Sequence, residues 1–229
     1  MAPQSRASSR NRVRRINPEF EAIVLQAKLR AAAPPPRHSG AMRLETLLTH
    51  ADTEDVLRDV AALPTYRTLR VHGVRQEGPH SYHQFYAELD RVNESWYYFQ
   101  DIPGGERFSY SDGILKTADP ATEIEYPRGM PSEVQMLDPQ NLNMWGGRTS
   151  FYPMLVQNIG EHSLLITFEH VSDPAFRPTV VIDRRTGIAT RTVKLGEITI
   201  LTEVHVDVPL TRPESVTFKP ITDWIRPDY

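Results

Sequence analysis

PTVVIDRRTGIATRTVKLGEITILTEVHVDVPL, residues 178–210, reads as three consecutive β-strands. The run Thr179–Ile182 is β-branched and apolar, which suits a pleated, half-buried surface. Asp183-Arg184-Arg185-Thr186-Gly187 is a turn sequence, with Gly187 free to take positive φ. Ile188–Leu195 forms the second strand and Gly196-Glu197 the next reversal. From Ile198 the chain alternates. Ile198, Ile200, Thr202, Val204, Val206 and Val208 are expected on one face, and Thr199, Leu201, Glu203, His205 and Asp207 on the other. Such a segment belongs to an antiparallel sheet whose apolar face needs a helix, a second sheet or a ligand against it.

Working back toward the N-terminus, strands are expected at about Tyr66–Arg75, Tyr82–Arg91, Ser95–Ile102, Arg107–Ser111, Ile114–Thr117 and Ser163–Glu169. Ser111-Asp112-Gly113 is a hairpin signal and Pro103-Gly104-Gly105 another reversal. Between Pro131 and Gly147 the pattern changes to short helical pieces, broken at Pro139, and Tyr152–Val156 reads as a further helical turn. Before the strands, Met42–Leu48 reads as helical, and Asp52 can cap a helix with Val56, Leu57, Val60 and Leu63 as its apolar stripe. Earlier still, residues 1–15 are basic and without periodicity, Asn17–Ala32 carries a helical pattern, and Pro34-Pro35-Pro36 begins a stiff linker. The expected division is therefore 1–40, an arm with its helix and linker, and 41–229, the β-rich body.

The order of elements is α+β rather than the alternation of a parallel sheet. It suits a strongly curved antiparallel sheet, an open half-barrel, with helices covering its concave face.

Composition narrows the function. There is no cysteine, so disulfides, thiolate metal sites and cysteine nucleophiles are excluded. Residues 1–40 hold eight Lys/Arg and two Glu, whereas the remainder holds 18 basic and 27 acidic residues. The arm, through Arg10, Arg12, Arg14 and Arg15, is the candidate for contacting a protein partner or an anionic membrane surface. No apolar h-region follows the basic residues, and with Met1 in first place the expectation is a cytoplasmic protein.

Phe108-Ser109-Tyr110-Ser111-Asp112-Gly113 with Asp119-Pro120, the turn Val181–Ile188, and the closing run Val206-Asp207-Val208-Pro209-Leu210 together resemble the LolA/LolB-like family. That family includes the periplasmic lipoprotein carriers, the sigma-factor regulator RseB and actinobacterial lipoproteins. The resemblance covers roughly residues 44–218. It implies an open β-barrel with a helical lid, binding a lipid or acyl chain in the cavity between them without catalytic residues.

From the residues and this resemblance together, the expected function is non-enzymatic binding of an apolar ligand, with no cofactor and no metal. The lining expected from the inward strand positions and the lid is Leu69, Val71, Phe85, Leu89, Met136, Trp145, Ile200 and Val204. The alternative is a regulatory or scaffolding protein. Competing chemistries are weaker. His80 and His83, three apart at a strand start, face opposite sides and cannot share a metal. His50, Asp52 and Glu54, like Glu169, His170 and Asp173, sit near element ends, where capping and turn roles are usual. No nucleophile elbow, phosphate loop or zinc-protease motif occurs. The aromatic cluster from Tyr82 to Phe99 lacks the pattern of an RNA-binding sheet and is explained by cross-strand pairing, so nucleic acid is not an expected partner.

Overall fold

The computed structural model describes residues 42–78, 81–102, 106–117, 122–124, 126–127, 129–145 and 151–218. The expected arm, helix and linker of residues 1–40 lie outside them, as do His80, the Pro103-Gly104-Gly105 reversal and Asp119-Pro120.

The strands are β1 (Thr68–Glu77), β2 (Tyr82–Asp90), β3 (Ser95–Gln100), β4 (Glu106–Ser111), β5 (Ile114–Lys116), β6 (Thr122–Glu123), β7 (Phe151–Ile159), β8 (Ser163–His170), β9 (Thr179–Asp183), β10 (Ile188–Lys194) and β11 (Glu197–Val206). They form one 11-stranded sheet in the order β6-β5-β4-β3-β2-β1-β11-β10-β9-β8-β7. Every pairing is antiparallel. The sheet is open, ending in β6 and β7, and forms the expected curved half-barrel of α+β class. Asp112 and Gly113, at φ 54° and 78°, make the hairpin between β4 and β5 with the positive φ at both central residues that such turns require.

Three local readings are corrected. Met42–Leu48 is not a helix; it runs along the edge of β7, where Glu45 N–H donates to Val156 O and Leu48 N–H to Met154 O, both at 2.8 Å. Tyr152–Val156 is not helical but part of β7. Pro153 is tolerated there because β7 is an edge strand, with a bulge at Met154. The third concerns β11. His72 pairs with Glu203 and Gly73 with Leu201, so Thr202 is an extra residue, a bulge. The bulge reverses the expected faces in the first half of the strand. Thr199 and Leu201 are buried, whereas Ile198 and Ile200 are 37% and 42% exposed. Beyond it, Val204 and Val206 pack on the core as expected.

Helix α1 (Thr53–Ala61) contributes Val56 and Val60 to the core, and the single-turn helix α2 (Ser132–Gln135) contributes Val134. Asp52 does precede α1, but its carboxylate turns back to accept from Thr49 N–H at 2.9 Å and Thr49 Oγ1 at 2.8 Å. After α2 the chain is stitched onto the sheet. Ala189 N–H, beside a bulge in β10, donates to Met136 O at 2.8 Å. The Arg91 guanidinium donates to Leu137 O and pairs with Asp138 at 3.0 Å. Trp145 Nε1 donates to Pro139 O at 2.6 Å.

Candidate functional site

Strand parity puts Leu69, Val71, Gly73 and Arg75 of β1 on the concave face. Beside them stand Leu89, Ala87, Phe85 and His83 of β2, and Val206, Val204, Leu201 and Thr199 of β11. Three of these rows are apolar and the fourth, His83-Arg75-Thr199, is polar.

The apolar rows are filled. Leu69, Val71, Phe85 and Leu89 are all 0% exposed and belong to one packed cluster with Met136. Gly73 is part of this packing. A Cβ there would lie 2.2 Å from Phe85 Cζ, so the absent side chain is what lets the Phe85 ring lie across β1. Trp145 meets the ring of Phe168 edge-on, centroids 4.9 Å apart, at the opposite half of the sheet. Ile200 stands on the convex face, a correction that follows from the Thr202 bulge.

Space opens instead beside the polar row. A cleft of about 300 Å³ lies between the sheet and the chain leading into α2. Tyr98, Gln100, Phe108, Leu115 and Arg75 line it from the sheet, and Pro131, Ser132 and Glu133 from the other side. None of the eight side chains expected to meet a ligand lines it. The residues that do had a signal in the sequence: Arg75 is a charge at an inward position of an otherwise apolar strand face, and Tyr98 falls within the aromatic cluster.

Glu133 organises this end. Its side chain is 1% exposed and accepts from Arg75 Nη1 at 2.8 Å, Tyr98 Oη at 3.1 Å and Ser132 Oγ at 3.0 Å. Burial works against its charge, yet the Arg75 hydrogen bond and charge outweigh burial and hold its carboxyl below the ordinary carboxylate range. Burial, then the Glu133 charge, pushes the Tyr98 phenol far up. Arg75 also reaches Glu77 at 2.6 Å and Glu197 at 3.3 Å. Burial pulls the His83 imidazole down, so it is neutral at neutral pH. Arg75 Nε, His83 Nε2 and Thr199 Oγ1 are buried without a hydrogen-bond partner. No cluster of three His, Asp or Glu able to hold a metal occurs among the described residues.

The convex face is partly covered by the chain after β11. Glu88, 0% exposed, accepts from Tyr86 Oη, from Thr211 N–H at 2.9 Å and Oγ1 at 3.0 Å, and from Arg212 N–H at 3.0 Å. Phe218 stacks on Phe99 with centroids 6.1 Å apart and meets His72 edge-on. Arg10, Arg12, Arg14 and Arg15 lie outside the described residues.

No family model matches the sequence, and neither does any curated protein. Solved structures do match. A crystal structure of MucB is 14% identical, with 70% of this chain and 61% of that chain covered and a TM-score of 0.42. The MucA/MucB complex of Pseudomonas aeruginosa is 14% identical over 71% of this chain and 58% of that one, with a TM-score of 0.40. A LolA superfamily protein from Nitrosomonas europaea is 10% identical over 69% and 94%, with a TM-score of 0.34. The chain thus spans about three fifths of the MucB chain it matches. These are likenesses of fold alone, to the scaffold that the sequence resembles. They correct the expectation of a cytoplasmic protein, because the matched proteins are periplasmic.

Proposed function

We propose that the chain is a non-enzymatic binding domain that takes one apolar chain or a small aromatic group into the cleft beside Tyr98, Phe108 and Leu115. The carrying observation is the cleft itself, which joins an apolar wall to the Arg75–Glu133 pair. Its volume of about 300 Å³ stands at the lower end of the range for ligand pockets, ~300–1,000 Å³, too small for a lipid with several acyl chains. Burial of apolar area drives such binding, at roughly 25 cal/mol per Å². The test uses the uncharged dye Nile red and native mass spectrometry with decanol. Wild type binds saturably, and Leu115→Trp, which fills the cleft, weakens binding about tenfold or more. Absence of saturable binding by the folded wild type removes the proposal.

The charge division of the sequence supports a second reading. Residues 1–40 hold eight Lys/Arg, and the rest of the chain has an acidic excess. A regulatory or scaffolding protein would use Arg10, Arg12, Arg14 and Arg15 to contact a protein partner or an anionic surface. Deleting residues 1–40 abolishes co-sedimentation with anionic vesicles or partner capture in this reading, and leaves dye binding intact. Unchanged capture sinks it.

A further inference from the structure

The cleft has a second property, its charge, which bears on what the ligand carries at its polar end. Glu133 and Arg75 line the cleft, and Arg75 pairs in addition with the carboxylates of Glu77 and Glu197, the latter also 3.5 Å from Lys194. Glu106 adds a further carboxylate on the same face of the sheet, opposite Gln100, and its charge is felt at the Tyr98 hydroxyl. His83 contributes no positive charge, for the burial reason given above. Among the described residues Arg75 is the one cation lining the cleft; its Nη atoms pair with Glu133, Glu77 and Glu197, and its remaining donor, Nε, is buried. An incoming carboxylate therefore meets an excess of negative charge and no exposed guanidinium fork. An O–H or N–H group meets acceptors instead: carboxylate oxygens and the side chain of Gln100.

We propose that the cleft selects amphiphiles whose polar end donates hydrogen bonds, a hydroxyl or an ammonium group, and discriminates against carboxylates. Free fatty acids are thereby disfavoured as ligands, and long-chain alcohols, amines or hydroxyl-headed lipids are favoured. The inference rests on the binding reading above and names the ligand class for that same cleft. Unlike-charge attraction and like-charge repulsion at a half-buried site act at short range, so salt weakens the discrimination without abolishing it.

The experiment is titration calorimetry of the full chain with decanol, decylamine and decanoate, matched in tail length and kept below their micelle concentrations, at about pH 8, where decanoate is ionised and decylamine protonated. Decanol and decylamine bind, and decanoate binds at least about tenfold more weakly. The double variant Glu77→Gln/Glu106→Gln removes two of the surrounding charges at sites outside the packed core, and narrows the gap between decanoate and decanol. Equal affinities for decanoate and decanol in wild type overturn the selectivity while leaving the binding reading in place, as does a gap that the double variant leaves unchanged. Failure of all three to bind overturns the binding reading, and the selectivity with it.

Discussion

Glu133 and Gly73 show how single positions set up the concave face. Glu133 is an ionised group with almost no water around it, sustained by Arg75, Tyr98 and Ser132. A carboxyl whose folded pKa lies below its unfolded value, about 4.3, stabilises the fold above that pH and loses the contribution as pH falls through the folded value. Denaturant titrations of wild type and Glu133→Gln should therefore differ by ~2 kcal/mol at neutral pH, the size of a hydrogen bond to a charged group, since Arg75 keeps Glu77 and Glu197, and converge in acid. Parallel curves down to acid pH would show that the pair is not the source. Asp138 acts with the opposite sign, since burial raises its pKa despite Arg91. It is present in both proteins and cancels from the comparison. At Gly73 the cause is space. Gly73→Ala forces the Phe85 ring to move and should lower stability by about 1–3 kcal/mol, measured by urea unfolding. An unchanged midpoint would mean the ring has room. Arg75 and Gly73 were both visible in the sequence as interruptions of an inward apolar face. What each of them touches was not, because their partners, Glu133 and Phe85, are distant in the chain or on another strand.

The strands themselves were largely legible, since period two and turn residues act locally. Six strands precede the α2 segment and five follow it, where about five and four were expected. The misread elements have tertiary causes. Met42–Leu48 and Tyr152–Val156 were apolar enough for helices, but they satisfy one another's backbone along the β7 edge. In β11 the alternation was correct, but its phase held only beyond the bulge. Parity arguments carry no information about a bulge, and the extra Thr202 lets Leu201 and Val204 face the same way. Deleting Thr202 tests this. The strand then alternates without interruption, and Thr199, Leu201, Val204 and Val206 all keep the core face. The expected loss is at most about 1 kcal/mol, since no buried side chain changes face. A loss of several kcal/mol in thermal unfolding would show that the two halves of β11 are not in phase across Thr202.

At the scale of the molecule, one core cluster runs from Trp96 and Tyr110 on β3 and β4, through Phe85, to Val156 and Phe168 on β7 and β8. The two ends of the sheet should therefore unfold together. In a Trp224→Phe background, Trp96 and Trp145 report on opposite halves, and their fluorescence transition should coincide with that of far-ultraviolet circular dichroism. Separate midpoints would divide the core in two. The half-barrel as a class was readable from the order of elements. The location of free space was not, because it depends on how completely Phe85, Leu89 and Met136 fill the centre.

The strand order has a consequence for biosynthesis. β1 lies at the middle of the sheet between β2 and β11, and the Thr68 hydroxyl meets Val208 O across a sequence separation of 140 residues. On a ribosome, β1 to β6 emerge with one side of β1 unpaired, a bare edge that persists until the last strand leaves the exit tunnel. The nascent chain cannot complete its core before then, because Leu201, Val204 and Val206 belong to it. Folding waits on the most remote pairing in the sheet, and the interval is when a chaperone or a stray strand competes for that edge.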